Sequence, residues 1–145
     1  MKIIIEEINQ GEEDQIIIRC KKIDDSILKV ISDLKMGQSK LAGNKDGNIT
    51  MIDPSDVYYF EGVDSKVFMY CKHNVYETKL KLYEIENEYR NTNFFRASKS
   101  VILDVSKIKS ISPAYSGRFE ASLFNGEKVL ISRQYVPELK KKLGL

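Results

Sequence analysis

Three short polar turns hold the residues best suited to chemistry: Asp64-Ser65-Lys66, Ala97-Ser98-Lys99-Ser100 and Ser132-Arg133-Gln134. Each sets a small hydroxyl beside a long cationic donor. Hydroxyls and backbone amides position phosphates, whereas Lys and Arg also reach the O6 and N7 acceptors of guanine in a major groove. The charge distribution points the same way. Residues 96–145 hold ten Lys or Arg against four Asp or Glu, and residues 1–95 hold thirteen against seventeen. A net charge of +2 therefore hides a basic C-terminal third, which an anionic partner such as nucleic acid would be drawn to. Solvated turns also commonly carry Ser and Lys, so the residue types alone leave both readings open.

Other chemistry is poorly represented. There is no GxxxxGK[ST], GxGxxG, HExxH or GxSxG pattern, and the carboxylates are scattered, so an enzyme is not expected. His73 is the single histidine and falls in a turn, where a surface position suits it. Cys20 and Cys71 lack any paired spacing and read as buried thiols, not as a disulfide or a metal site. No metal or cofactor is expected. At 145 residues, 42% hydrophobic and 30% charged, the chain has the composition of an ordinary soluble globular protein. Its apolar runs, such as Ile3–Ile5 and Ile16–Ile18, are far short of a membrane span, which makes the cytoplasm the expected location.

The elements that must position those turns are mostly strands. Residues 2–8 and 15–21 are expected as two strands around the polar turn Asn9–Asp14. Asp24-Asp25-Ser26 then starts a helix with Ile27, Leu28, Ile31 and Leu34 on one face and Gly37 just past its end. The Gly-, Ser-, Asn- and Lys-rich stretch from about 37 to 48 must bend, with a hairpin turn at Asp46-Gly47-Asn48. Strands follow over Ile49–Ile52, Val57–Phe60, Lys66–Lys72 and Val75–Thr78. A helix over roughly 80–90 carries Leu82, Ile85 and Tyr89 on one face. Phe94–Ala97, Val101–Leu103 and Ile108–Ser112 read as further strands. Phe119–Leu123 and Lys128–Ser132 pair across Asn125-Gly126, the strongest hairpin signal in the chain. Pro137 opens a last helix, with Leu139 and Leu143 inward and Lys140, Lys141 and Lys142 outward. The fold class is α+β and predominantly β, with residues 1–40 an N-terminal ββα-like extension and 41–145 the main module.

Over residues 40–143 the chain resembles the LytTR DNA-binding domain of bacterial transcription regulators. The resemblance is carried by residues 54–61 (Pro54 to Glu61), the 80–89 helix, residues 94–104 (Phe94-Phe95-Arg96 to Asp104) and 105–111. It continues through the Asn125-Gly126 turn and residues 129–135 (Val129 to Tyr135). It implies packed short antiparallel sheets with two or three short helices. It also implies loops, not a recognition helix, inserted into successive major grooves of a direct-repeat site that pairs of molecules bend. By position, Ser65 and Lys66 would form one contact loop, Ser98, Lys99 and Arg96 a second, and Arg133 with Gln134 the third. Arg133 and Lys99 are the expected base readers, with Lys66, Ser98 and the Lys140–Lys142 tail nearer phosphates. The implied partner is double-stranded DNA, bound by a homodimer.

Two departures from the family pattern bear on function. Many members carry His where this chain has Ser98, and Asn where it has Asp104. The first leaves the base preference of that loop open, and the second suggests that Asp104 caps the turn before Val105. About forty residues precede the module, too few for a receiver domain, so the resemblance is to the stand-alone subgroup. There the extension would dimerise or receive a signal, and a membrane-protein antagonist is a further expected partner. The rival reading is a β-rich protein-interaction module without DNA binding; RNA binding through Tyr58, Tyr59, Phe60 or Phe68 is weaker, because core packing accounts for most of these aromatics.

Overall fold

Strand β7 (Val101–Asp104) is buried along its whole length, and that decides the architecture. In the computed structural model, which describes residues 1–36 and 39–145, successive β7 side chains feed two separate cores. Ile102 joins Val57, Phe60, Met69, Phe94, Ile85 and Tyr89 on one side. Val101 and Leu103 join Tyr59, Phe95, Ala97, Leu123, Val129, Ile131 and Leu139 on the other. The period-2 alternation of side chains makes this split.

Among the described residues, β7 lies in a seven-stranded sheet with six other strands. These are β1 (Leu41–Lys45), β2 (Asn48–Ile52), β3 (Val57–Val63), β4 (Lys66–Cys71), β5 (Val75–Thr78) and β6 (Phe94–Arg96). Their order is β2-β1-β5-β4-β3-β7-β6, and every pairing is antiparallel. A three-stranded sheet is built from β8 (Ile108–Pro113), β9 (Phe119–Leu123) and β10 (Lys128–Ile131), with β9 central. It shares the second core with the large sheet. Helix α2 (Leu82–Glu88) covers the first core through Ile85, which is fully buried. Helix α3 (Val136–Lys142) closes the second core with Val136 and Leu139. The expected α+β, predominantly β class is what the chain adopts. Each fully buried aliphatic side chain at these centres contributes about 1.5–3 kcal/mol.

Strand β1 is absent from the sequence reading, which treated 37–48 as bending polypeptide. Gly43 explains both the strand and the failure to see it. A Cβ there would lie 2.6 Å from Ile52 Cδ1, 2.7 Å from Tyr76 Cβ and 2.9 Å from Met69 Cε. The glycine lets three core side chains close over the strand, a role that looks like a turn signal in sequence. The β1–β2 hairpin does turn where expected, with Asp46 and Gly47 at positive φ. Gly37, the expected helix stop, lies outside the described residues.

The N-terminal extension differs from expectation. Helix α1 (Asp25–Met36) forms, capped by Asp24, whose Oδ1 accepts from Ile27 N–H (3.1 Å) and Ser26 Oγ (2.7 Å). Residues 2–8 and 15–21 run beside each other around the turn closed by Glu12 N–H donating to the Asn9 carbonyl, yet they make no strand ladder. Nothing packs on either face, and an isolated two-stranded hairpin is marginal in water. For the same reason Cys20 is exposed, not buried as its residue type suggested, while Cys71 is half-buried and burial pushes its thiol pKa up.

Candidate nucleic-acid interface

The site is built on one backbone hydrogen bond between two loops. Ser132 N–H donates to the Ala97 carbonyl at 2.9 Å, joining the turn after β6 to the turn after β10. The first turn is closed locally: Ala97 and Ser98 N–H groups both donate to the Val101 carbonyl (2.9 and 3.3 Å). Ser98 Oγ also accepts from Ser100 N–H at 3.3 Å. The second turn is held by Tyr135 N–H donating to the Ser132 carbonyl at 2.9 Å. Lys99 and Arg133, 34 positions apart, thereby line one open cleft of about 520 Å³.

A third loop completes the cleft. Between β8 and β9 the chain passes through Ser116 and Gly117, both at positive φ, and Ala114 N–H donates to the Arg118 carbonyl at 2.8 Å. The cleft is lined by Lys99, Arg118 and Arg133, by Gln134, and by the hydroxyls of Ser98, Ser100, Ser116 and Ser132. No carboxylate lines it. Three cations ringed by hydroxyls form a surface suited to phosphate and to base-edge acceptors. The sequence reading missed Ser116 and Arg118, although Ser116-Gly117-Arg118 has the same composition as the other turns, with one glycine inserted.

The structure divides the remaining expected residues. Ser65 and Lys66 are exposed on the β3–β4 hairpin, whose Asp64 and Ser65 both have positive φ. Gly62 N–H donates to the Ser100 carbonyl at 2.8 Å, so this hairpin springs from the sheet end that carries the 97–100 turn. Ser65 and Lys66 do not line the cleft itself.

Arg96 is engaged within the fold. Its Nε donates to the Ser98 carbonyl at 2.9 Å, Nη2 donates to the Lys99 carbonyl, and Nη1 pairs with Glu86 Oε2 at 2.8 Å. With its side chain only 18% exposed, the guanidinium braces the turn from beneath and ties it to α2.

The lysine tail is also partly committed. Lys142 Nζ donates to the Thr92 carbonyl at 2.9 Å, and burial lowers its pKa. Lys140 lies 5.4 Å above the Phe119 ring. The expectation that Lys140 to Lys142 all project outward therefore fails at Lys142, whose long stem covers the loop after α2. Asp104 does cap the turn before Val105. It is buried, and its Oδ1 accepts from Ser106 N–H (2.8 Å) and Ser106 Oγ (2.6 Å). Burial raises its pKa despite those bonds. His73 is exposed, and among the described residues no group of three metal-ligating side chains forms.

Residues 47–144 match the LytTr DNA-binding domain. The chain belongs to this family. The LytTr fold is also seen directly: the LytTr DNA-binding domain of a Bacillus cereus protein, described as a methyl-accepting/DNA response regulator, superposes with a TM-score of 0.69. It shares 29% identity and covers 75% of this chain and all of that one. Among curated LytTr relatives, the sensory transduction protein LytT of Enterococcus faecalis is 33% identical over 69% of this chain and 41% of its own length. LytT of Bacillus subtilis is 28% identical over 90% of this chain and 54% of its own. The chain thus spans about half the length of these relatives. An uncharacterized HTH-type transcriptional regulator of Staphylococcus aureus is 30% identical over 95% of both chains. Among the described residues no two α-helices follow one another without intervening strands, so they contain no pair of α-helices joined by a turn.

Proposed function

We propose that the chain is a sequence-specific DNA-binding transcription regulator that inserts its loops into successive major grooves of duplex DNA. The observation that carries this reading is the cleft of Lys99, Arg118 and Arg133 with four serines and no carboxylate. Arg133 and Lys99 read base edges. Ser65, Lys66, Ser98, Arg118 and Gln134 hold phosphates on either side, and Arg96 sets the height of the 97–100 turn without touching DNA. Loops suit this task better than the helices: α2 is capped onto the core by Ile85, and α3 is pinned by Leu139 and Lys142. Two copies occupy a direct repeat and bend it, and a membrane-protein antagonist provides the control. Among the described residues no helix is long and apolar enough to cross a membrane.

The test is selection of duplexes from a random pool by the full chain, followed by binding at increasing salt. The reading requires an enriched site and an affinity that falls steeply with salt, since each released counterion adds to the slope. Failure to enrich any site, with salt-insensitive capture of a protein instead, would favour an interaction module.

A further inference from the structure

Tyr115 is the most exposed aromatic side chain among the described residues, 89% open to solvent. Elsewhere the chain buries or half-buries its aromatic rings, with Tyr83 on α2 and Phe124 at the β9–β10 turn the two other exceptions. Phe124 stands at the far end of β9, where its N–H donates to the Lys107 carbonyl at 3.1 Å. Of the three, Tyr115 alone belongs to a loop that lines the cationic cleft, through its neighbours Ser116 and Arg118.

The loop fixes where this ring stands. Arg118 N–H donates to the Tyr115 carbonyl at 3.2 Å, inside the Ala114–Arg118 backbone bond that closes the loop, so the chain doubles back within Tyr115, Ser116 and Gly117. Ser116 lines the cleft and Tyr115 does not, which puts the ring at the rim, outside the ring of cations. A duplex seated on Lys99, Arg118 and Arg133 continues past that rim as sugar and phosphate. Cations and hydroxyls in the cleft serve phosphates and base edges, whereas the deoxyribose faces need an apolar surface. Tyrosine offers both kinds of contact, a flat apolar ring and a phenol that donates to phosphate oxygens. A phenol beside a major-groove cleft suits the backbone better than a base step, since the wedges that part base steps are hydroxyl-free side chains entering the minor groove.

We infer that Tyr115 is a further DNA-contact residue, whose ring packs on deoxyribose at the rim of the cleft and whose hydroxyl donates to a neighbouring phosphate. The contact holds the duplex against the cleft without reading a base. It presupposes the DNA-binding reading and adds a neutral anchor to it, on the β8–β9 loop that supplies Ser116 and Arg118.

Titration of the full chain with the selected duplex and with random duplex, at several salt concentrations, tests it. Tyr115→Ala should weaken binding about tenfold on both duplexes alike, and Tyr115→Phe, which keeps the ring, about threefold. Neither should change the salt slope, because a neutral side chain releases no counterion. The side chain is exposed, so thermal unfolding of both variants should match wild type. A second readout needs no variant: nitration of the wild-type tyrosines by tetranitromethane, located by mass spectrometry. The selected duplex should protect Tyr115, while Tyr83, 66% exposed on α2, should react as fast with DNA as without it. Wild-type affinity in Tyr115→Ala, a loss confined to the selected duplex, or nitration of Tyr115 that DNA does not slow would each overturn the inference and leave the DNA-binding reading standing. A wild-type chain that enriches no duplex would instead remove that reading, and this contact with it.

Discussion

Gly117 lies flat against the stem of Arg133. A Cβ on Gly117 would stand 2.9 Å from Arg133 Cδ and 3.2 Å from Cγ. The only atoms in the way belong to a flexible side chain, so Gly117→Ala should move the arginine and spare the fold. Positive φ adds a backbone cost of about 1–2 kcal/mol. Gly126→Ala separates the two effects, because Gly126 shares the positive φ and has nothing within 4 Å. Both variants should lose similar stability. Gly117→Ala alone should weaken binding to the selected duplex, by part of the roughly 1–3 kcal/mol expected for removing the Arg133 side chain. Calorimetry and fluorescence anisotropy on the same samples check this.

Arg96 braces the 97–100 turn through two carbonyls and Glu86. Removing it leaves those carbonyls without their charged donor, and Arg96→Ala should cost on the order of 1–3 kcal/mol of stability. Glu86 is half exposed, so Glu86→Gln should cost less than about 1 kcal/mol. Arg96→Lys should not restore the loss, because an ammonium cannot reproduce the planar fork. The salt dependence of DNA binding distinguishes bracing from contact. Lys66→Ala should lower the slope by about 1, whereas Arg96→Ala should leave it unchanged. A reduced slope with unaltered stability in Arg96→Ala would place that guanidinium on a phosphate.

Asp104 predicts a pH dependence opposite to that of an ordinary paired carboxylate. Burial raises its folded pKa above the usual 3.8, with Lys107 opposing and Asp33 reinforcing the shift. The folded chain therefore holds this proton more tightly than the unfolded one. Its contribution to stability is fully present below the unfolded pKa and is lost as pH rises through the folded value. Asp104→Asn keeps an oxygen for Ser106 N–H and has no charge to bury. It should match or exceed wild type at neutral pH, with the difference shrinking on acidification towards pH 3.8. Asp104→Ala should lose about 1 kcal/mol near pH 3.8, as a missing cap does, and less at neutral pH, where wild type carries the cost of the buried charge. Urea unfolding across this range checks both.

Most strands, both Asx-Gly hairpins and the α2 face were legible because each rests on local sequence: short β-branched and aromatic runs for β3 and β7, Asp46-Gly47 and Asn125-Gly126 for the turns. Strand β1 was not, since Gly43 serves a contact with Ile52, Tyr76 and Met69 that local sequence does not encode. The two C-terminal turns were legible as cationic, yet their convergence was not. It depends on the Ala97–Ser132 hydrogen bond, which joins residues 35 positions apart. Arg96 shows the converse limit. Its neighbours suggested a contact residue, and only the positions of Glu86 and of the 98 and 99 carbonyls show its guanidinium engaged from beneath. The N-terminal runs Ile3–Ile5 and Ile16–Ile18 have the β-branched enrichment of strands, yet both stay exposed and no strand ladder forms there.

The most direct measurement for the central claim is the dissociation constant of wild type and Arg133→Ala, each on the selected duplex and on random duplex at one salt concentration. The account predicts a loss of roughly 1–3 kcal/mol for Arg133→Ala on the selected duplex, with a much smaller loss on random duplex. Equal losses on both, or no loss on either, would contradict the assignment of Arg133 to base edges in the cleft.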